Sequence, residues 1–192
     1  MRLFNLFTAA LLFAGSLASS SPAGAAELKG ITFADHTTVS GKQLDLNGSG
    51  LRLATFLKVK VYVGALYLET PSHDGDQIAA SGGIKRVEMV FVRDVGAGKI
   101  KDAWAEGCEK NCGPAAEAMK PGIAKLQALT PDMNTGDKMA FDFLPDHVEV
   151  SVKGQKAVSI GDKDFSKNLI LVWIGHKPPN DELKAGMLGV KE

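Results

Sequence analysis

The chain has 192 residues, of which 45% are hydrophobic and 23% are charged, with 22 basic and 22 acidic side chains. This composition is typical of one soluble globular domain, and it excludes intrinsic disorder, a collagen-like repeat and a polybasic nucleic-acid binder. The 21 glycines and 8 prolines are spread along the chain, so they separate many short elements rather than form a low-complexity tail.

The first 26 residues have the pattern of a secretory signal peptide. Arg2 precedes an apolar run over residues 3–18, and small residues then lead to Ala-Gly-Ala-Ala at residues 23–26. An uncleaved anchor is the alternative, but the run is shorter than the roughly 20 apolar residues of a spanning helix. We therefore expect cleavage beside Ala26 and export, to the periplasm of a bacterium, of one domain over residues 27–192. Its net charge of −1 gives no electrostatic reason to expect nucleic acid or an acidic membrane as the partner.

The first half of the mature chain has the residue pattern of β-strands. A short strand is predicted over residues 28–33, followed by strands over residues 42–46, 51–57 and 59–68. Between the second and third, the sequence Asn-Gly-Ser-Gly at residues 47–50 predicts a turn. A short helix over residues 76–80 and a strand over residues 85–95 follow.

The second half begins with a helical period. Ile100, Ala103, Trp104, Gly107 and Cys108 form the apolar stripe of an amphipathic helix. The remaining predicted elements are a helical stretch over residues 114–129 that is kinked or divided at Pro121-Gly122, a three-stranded meander over residues 139–160, a helix capped by Asp164, and a helix over residues 181–187. Strands grouped with strands and helices with helices indicate an α+β domain with one sheet and its helices on one face.

The two cysteines have a spacing that leaves their redox state open. Cys108 and Cys112 lie four residues apart, on one face of a regular helix, and an oxidising compartment would let them pair. A disulfide needs the helix to fray there, which the following Gly113-Pro114 favours, so a bridge and two free thiols are both compatible with the sequence. The four histidines are scattered at positions without ligand spacing from either cysteine, so we expect no metal and no cofactor.

No strong catalytic motif is present, and a few polar groups in apolar surroundings are the candidate site residues. Arg52 is either a ligand for a carboxylate or enolate oxygen, or an exposed strand arginine. Trp104 and Asn111 lie two turns apart on one helix face. Trp104 is either the wall of a ligand site or a core residue, and Asn111 is either a polar anchor for the ligand or a helix cap. Tyr62 and Tyr67 favour the sheet core.

Several segments, taken together in order and spacing, resemble the chalcone isomerase-like family, and most closely its secreted bacterial members. The likeness covers nearly all of the mature chain. The segments that carry it are residues 46–52, residues 56–69, Trp104-Ala105-Glu106-Gly107 through Asn111, residues 164–175 with Pro178, and residues 183–189. The resemblance implies an open-faced β-sandwich, in which a curved antiparallel sheet lies under a layer of helices with a ligand cleft between them.

The catalytic positions of the plant enzymes of this family carry over only in part. The family's arginine corresponds to Arg52 and its asparagine to Asn111. Trp104 stands at the tyrosine position, and Tyr62 and Val172 stand at the two threonine positions. Because donors that stabilise developing enolate charge are replaced, the resemblance implies little or no chalcone cyclisation at these residues.

The resemblance also implies a function, since related non-catalytic members of this fold bind fatty acids through the arginine. The leading interpretation is therefore a secreted, non-catalytic protein that binds a small amphipathic anion, with Arg52, Tyr62, Trp104, Asn111 and Val172 as the ligand-binding residues. The alternative is an isomerase or intramolecular lyase that acts on a chalcone-like conjugated ketone. A structural subunit of an envelope complex is a third class that the sequence leaves open.

Overall fold

The computed structural model describes residues 26–190. The predicted signal peptide covers residues 1–26, of which residues 1–25 lie outside the described residues, so its cleavage stays a prediction. Within residues 26–190, no helix combines the length and the apolar character that crossing a membrane requires.

Strands from both halves of the chain form one curved antiparallel sheet. The described residues contain β1 (Ala26–Leu28), β2 (Ile31–Phe33), β3 (His36–Val39), β4 (Lys42–Ala54), β5 (Val59–Leu68), β6 (Lys85–Phe91), β7 (Lys138–Phe143), β8 (Val148–Val152) and β9 (Val158–Ile160). β1 and β2 pair only with each other, whereas β3 to β9 follow one another across the sheet in chain order. The meander predicted from the alternation of apolar residues is confirmed in β7, β8 and β9.

Helices pack on one face of this sheet and enclose the larger core. They are α1 (Gly75–Ala80), α2 (Ala97–Asn111), α3 (Ala116–Leu129), α4 (Lys163–Leu169), α5 (Leu171–Ile174) and α6 (Asp181–Met187), with a single 3-10 turn at Gly113–Ala115. Trp173 lies in the centre, with its ring centroid 5.0 Å from that of Phe141 on β7 and 5.5 Å from that of Trp104 on α2. The predicted α+β class, with a curved sheet under a layer of helices, is confirmed.

The opposite face of the sheet carries a second apolar cluster that the sequence did not predict. On β5, Val63 and Tyr67 are buried in this cluster, while Leu66 between them belongs to the helix-covered core. The β1–β2 hairpin covers part of the second face through Phe33, and the Tyr67 hydroxyl donates to the carbonyl of Ala34 at 3.0 Å. The helices therefore lie on one face, but both faces of the central strand are buried.

The predicted turn at residues 47–50 is wrong, because β4 runs unbroken from residue 42 to residue 54. Its glycines instead allow α6 to pack closely against the strand. A Cβ at Gly48 would lie 2.2 Å from the backbone oxygen of Gly186, and one at Gly50 would lie 2.2 Å from that of Leu183. Glycine in a strand interior marks either a turn, a bulge or such a close approach, and local sequence does not separate them.

Two other predicted features need correction. The strand predicted over residues 85–95 ends at Phe91, since the chain then turns and Val95 forms a bridge to Met133. Of the predicted kink or division at Pro121-Gly122, the division is absent, because α3 continues through Pro121.

The N-cap of α4 and the strand β3 also differ from the sequence prediction. Asp162, and not Asp164, caps α4, because its carboxylate accepts a hydrogen bond from the N–H of Phe165 at 2.9 Å. Both aspartates are favoured capping residues, and the left-handed Gly161 turns the chain just before the first of them. β3 at the sheet edge was not predicted, since His-Thr-Thr-Val carries too short an apolar pattern.

Because α6 packs so closely on β4, a single methyl group added at this contact should lower the free energy of unfolding. We expect Gly50→Ala to lower the free energy of unfolding by about 1–3 kcal/mol, because its Cβ meets a backbone oxygen that no rotamer change can move. Gly98→Ala is the matched control, since an added Cβ there meets nothing within 4 Å. Urea unfolding measures both. Equal midpoints for Gly50→Ala and the wild type would contradict the close approach.

Candidate functional site

A cavity of about 500 Å³ lies between the sheet and the helices at one end of the sheet. Its walls come from the end of β4, the start of β5, the end of β6 with the following loop, one face of α2, Val172 on α5, and residues 177–179. The apolar side chains of its walls include Val59, Val61, Phe91, Val95, Ile100 and Ala103. The cavity is therefore mainly apolar and open on one side.

A bulge in β5 turns two consecutive side chains towards this cavity. Arg52 is paired with Tyr62, and Leu53 is paired with Lys60, so Val61 has no partner on β4. One extra residue on a strand shifts the alternation of its side chains by one position. Val61 and Tyr62 consequently both line the cavity.

Arg52 on β4 projects into the cavity with most of its donors unused. Its Nη1 donates to the carbonyl of Pro179 at 3.0 Å and to that of Leu53. Within residues 26–190, its Nε and Nη2 have no acceptor and no carboxylate forms an ion pair with it. A partly buried guanidinium with free N–H groups can bind a carboxylate in the bidentate geometry that arginine favours.

Tyr62 lies beside Arg52 and places a neutral hydroxyl in the cavity. Burial raises the pKa of this hydroxyl well above its usual range, and the charge of Arg52 offsets the rise only in part. Its ring packs against Phe91, with the centroids 5.7 Å apart. At neutral pH the group therefore remains protonated and can donate a hydrogen bond to an anion held by the guanidinium.

Trp104 and Trp173 differ in whether their indole N–H is used. The Nε1 of Trp104 donates to the hydroxyl of Thr130 at 3.2 Å, so this residue offers the cavity only its ring. The Nε1 of Trp173 is fully buried and has no hydrogen-bond partner among the described residues. It lies near the Tyr62 hydroxyl and lowers its pKa, against the rise that burial causes. Because Trp173 does not line the cavity, the donors at this end of the cavity are those of Arg52 and Tyr62.

Val172 forms part of the apolar floor, in close contact with α2. A Cβ on Gly107 would lie 2.7 Å from Cγ1 of Val172, so this glycine allows α5 to pack directly against the helix. Val172 has no hydrogen-bonding group. The floor formed by Trp104 and Val172 is therefore suited to a hydrocarbon chain and not to a polar substituent.

Basic side chains outnumber acidic ones around the cavity. The two carboxylates are already engaged, because Asp94 accepts hydrogen bonds from Thr135 and Glu106 forms an ion pair with Lys110. The basic side chains of the wall are Arg52, Arg93, Lys99, Lys110 and Lys177. Although residues 27–192 together have a net charge of −1, five basic and two acidic side chains line this cavity, a local excess of positive charge.

Asn111 lies at the end of α2, outside the lining of the cavity. Its Oδ1 accepts from the N–H of Lys177 at 2.8 Å, and its Nδ2 donates to the carbonyls of Lys177 and Gly107 at 2.9 and 3.0 Å. These bonds hold the segment that contains Pro178 and Pro179 in the cavity wall. The structure thus brings Arg52, Tyr62, Trp104 and Val172 together around the cavity and places Asn111 behind its wall.

Sequence reasoning missed the basic rim of the cavity. Arg93 and Lys99 lie six residues apart, whereas Lys177 comes from a distant part of the chain, and nothing in their local sequences distinguishes them from ordinary surface residues. The sequence predicts Trp173 only as part of a helix face. It does not indicate that the indole N–H lacks a hydrogen-bond acceptor, because the available acceptors belong to other elements.

Cys108 and Cys112 lie on one face of the end of α2, as their spacing predicted. Both are buried, and their Sγ atoms are 2.7 Å apart. Burial raises the pKa of both thiols, so neither is a thiolate at neutral pH. Within the described residues, no group of three or more histidine, cysteine, aspartate or glutamate side chains could hold a metal ion.

The comparisons with known proteins agree with this fold. Among solved structures, a fatty-acid binding protein of Arabidopsis thaliana matches with a TM-score of 0.65 and 13% identity, over 83% of this chain and 92% of that chain. At this identity the likeness shows the fold alone. No curated protein matches the chain. Residues 25–189 match the family described as chalcone isomerase-like, and the resemblance inferred from the sequence is confirmed: the chain belongs to the chalcone isomerase-like family.

Proposed function

We propose that this protein is a non-catalytic carrier or sensor that binds a small amphipathic anion, such as a fatty acid, in the cavity beside Arg52. The observation that carries the proposal is the partly buried guanidinium, whose Nε and Nη2 have no acceptor among the described residues. A partly buried charge that no carboxylate contacts directly is costly, and a bound carboxylate lowers that cost. Glu106 on the cavity wall attracts Arg52 only through space, because its ion pair is with Lys110.

The shape and lining of the cavity support an apolar chain attached to the anion. Its volume of about 500 Å³ falls within the range of about 300–1,000 Å³ for ligand pockets. Arg52 and the Tyr62 hydroxyl form the polar end, while Trp104 and Val172 form an apolar floor. The fatty-acid binding protein with the same fold supports this choice of ligand class.

The isomerase alternative is weaker on the same residues. Addition of a phenolate to an enone requires donors at the ketone oxygen that gain strength as enolate charge develops. Trp104 already donates its N–H to Thr130, and Val172 has nothing to donate. Arg52 and Tyr62 remain, and they suit the binding of a carboxylate that is already charged.

Arg52 gives the most direct test by mutation. We expect Arg52→Ala to weaken binding of palmitate by about 10- to 150-fold, which corresponds to the roughly 1.5–3 kcal/mol of a charge-assisted contact. Arg52→Lys should recover only part, because an ammonium lacks the bidentate geometry. Methyl palmitate is the control, since a neutral ester should lose much less affinity. Isothermal titration calorimetry measures each. Equal affinity of the wild type and Arg52→Ala for palmitate would contradict the proposal.

Chalcone cyclisation is expected to be undetectable or far below an ordinary enzymatic rate of roughly 1 per second. The reason is the absence of free donors at Trp104 and Val172. The loss of chalcone absorbance, followed at saturating substrate against a protein-free blank, measures the rate. Turnover at or above that value would favour the isomerase alternative.

The intact mass of the exported protein reports on both the cleavage of the signal peptide and the oxidation of the two cysteines. We expect protein recovered from the exported fraction to begin within a residue or two of Ala26. We also expect Cys108 and Cys112 to be oxidised wholly or in part, which lowers the mass by two hydrogens and blocks thiol labelling under denaturing conditions. The Cys108→Ser variant is the control for labelling. An intact Met1 would contradict export, and two labelled thiols in exported protein would contradict the disulfide.

A further inference from the structure

The loop that joins β4 to β5 places two apolar side chains in solvent at its tip. The side chain of Phe56 is 92% exposed and that of Leu57 is 69% exposed. The loop is a tight turn, in which the N–H of Lys58 donates to the carbonyl of Thr55 at 3.1 Å. No apolar side chain of the described residues covers Phe56 or Leu57, although adjacent residues of soluble domains rarely expose so much apolar surface together.

This tip lies on the rim of the cavity. Thr55 on one side of the exposed pair and Val59 on the other both line the cavity. A ligand that enters or leaves therefore passes beside Phe56 and Leu57. The two features, an apolar tip and an opening for an apolar chain, belong to one end of the molecule.

The charge of the same rim indicates what the tip contacts. Arg93, Lys99 and Lys177 are exposed there and form no ion pair with a carboxylate of the described residues. Lys58 is not counted, because its Nζ lies 3.0 Å from Glu182. This excess of basic side chains is local, since residues 27–192 as a whole have a net charge of −1. Asp94 and Glu106 also line the cavity, but the basic side chains outnumber them. An apolar tip on a rim with an excess of basic side chains is suited to the interface of an anionic bilayer, with the former among the acyl chains and the latter at the head groups.

We propose that the β4–β5 tip and the basic rim dock reversibly on an anionic lipid bilayer, so that the cavity opens onto the membrane surface. Phe56 and Leu57 enter the interface, while Arg93, Lys99 and Lys177 contact the head groups. The cavity then exchanges its ligand with the bilayer without passing an apolar chain through water. The identity of that cargo rests on the proposed function, whereas the docking itself does not.

Vesicle flotation tests the docking. We expect the purified mature protein to float with vesicles of phosphatidylcholine and phosphatidylglycerol at 3:1, and to float much less with pure phosphatidylcholine or at high salt. Phe56→Ser with Leu57→Ser should reduce the bound fraction by about 10- to 100-fold. Each of Lys99→Glu and Lys177→Glu should reduce it by at least about fivefold. Val158→Ser is the matched control, because Val158 is a 43% exposed apolar residue on β9 that does not line the cavity, and it should float as the wild type does.

Two further readouts separate the possible failures. Palmitate binding in solution should be unchanged in the Phe56→Ser, Leu57→Ser variant, so loss of flotation with intact binding supports docking. Intact flotation with no palmitate binding in the wild type would contradict the proposed function and leave the docking supported. Equal flotation of wild type and the double variant, both folded by circular dichroism, would overturn the docking. A wild-type dimer that the double variant converts to a monomer, without flotation of either, would instead assign the tip to an interface between copies.

Discussion

The backbone of the C-terminal segment packs directly against the backbone of the sheet, and the geometry of the cavity depends on that contact. Gly48 and Gly50 on β4 leave room for the backbone of α6. The segment just before α6 is fixed to the same strand, since the side chain of Asn180 accepts from the N–H of Leu53 and donates to the carbonyl of Leu51, both at 3.0 Å. These bonds place Pro179 against Arg52 and so fix one wall of the cavity.

The same contact explains why Arg52 faces the interior rather than solvent. Its Nη1 is held by the carbonyl of Pro179, while Asn111 holds the residues just before it from the side of α2. The guanidinium is thereby positioned but not neutralised. Beside it, burial keeps the Tyr62 hydroxyl protonated, so the polar end of the cavity offers one positive charge and one neutral donor. The arrangement favours an anion over a neutral carbonyl compound.

Prediction from sequence succeeded where a pattern is local and failed where distant segments decide. The stripe of Ile100, Trp104 and Cys108 predicted α2 because one face of a helix is buried whatever covers it. The glycines of β4 were misread as a turn, because the segment that requires them lies more than 130 residues later in the chain. The bulge at Val61 and the second buried face of the sheet also depend on tertiary contacts.

The residues of the candidate site also divide into those that the sequence predicts and those that it does not. Arg52 and Trp104 are candidates from their local sequence, Tyr62 and Val172 follow from the family resemblance, and all four line one cavity. The basic rim was not found, since an overall charge near zero conceals a local excess of Lys and Arg. Charge that is averaged over a chain therefore excludes a polybasic protein but says nothing of one opening on its surface.

The central claim is that a carboxylate binds at Arg52 with its apolar chain inside the cavity. A crystal structure of the mature protein with palmitate tests it most directly. The account predicts carboxylate oxygens at about 2.7–2.9 Å from the guanidinium nitrogens of Arg52, with the acyl chain against Trp104 and Val172. A carboxylate held only by Lys99 or Lys177 at the rim, or an empty cavity at saturating palmitate, would contradict it.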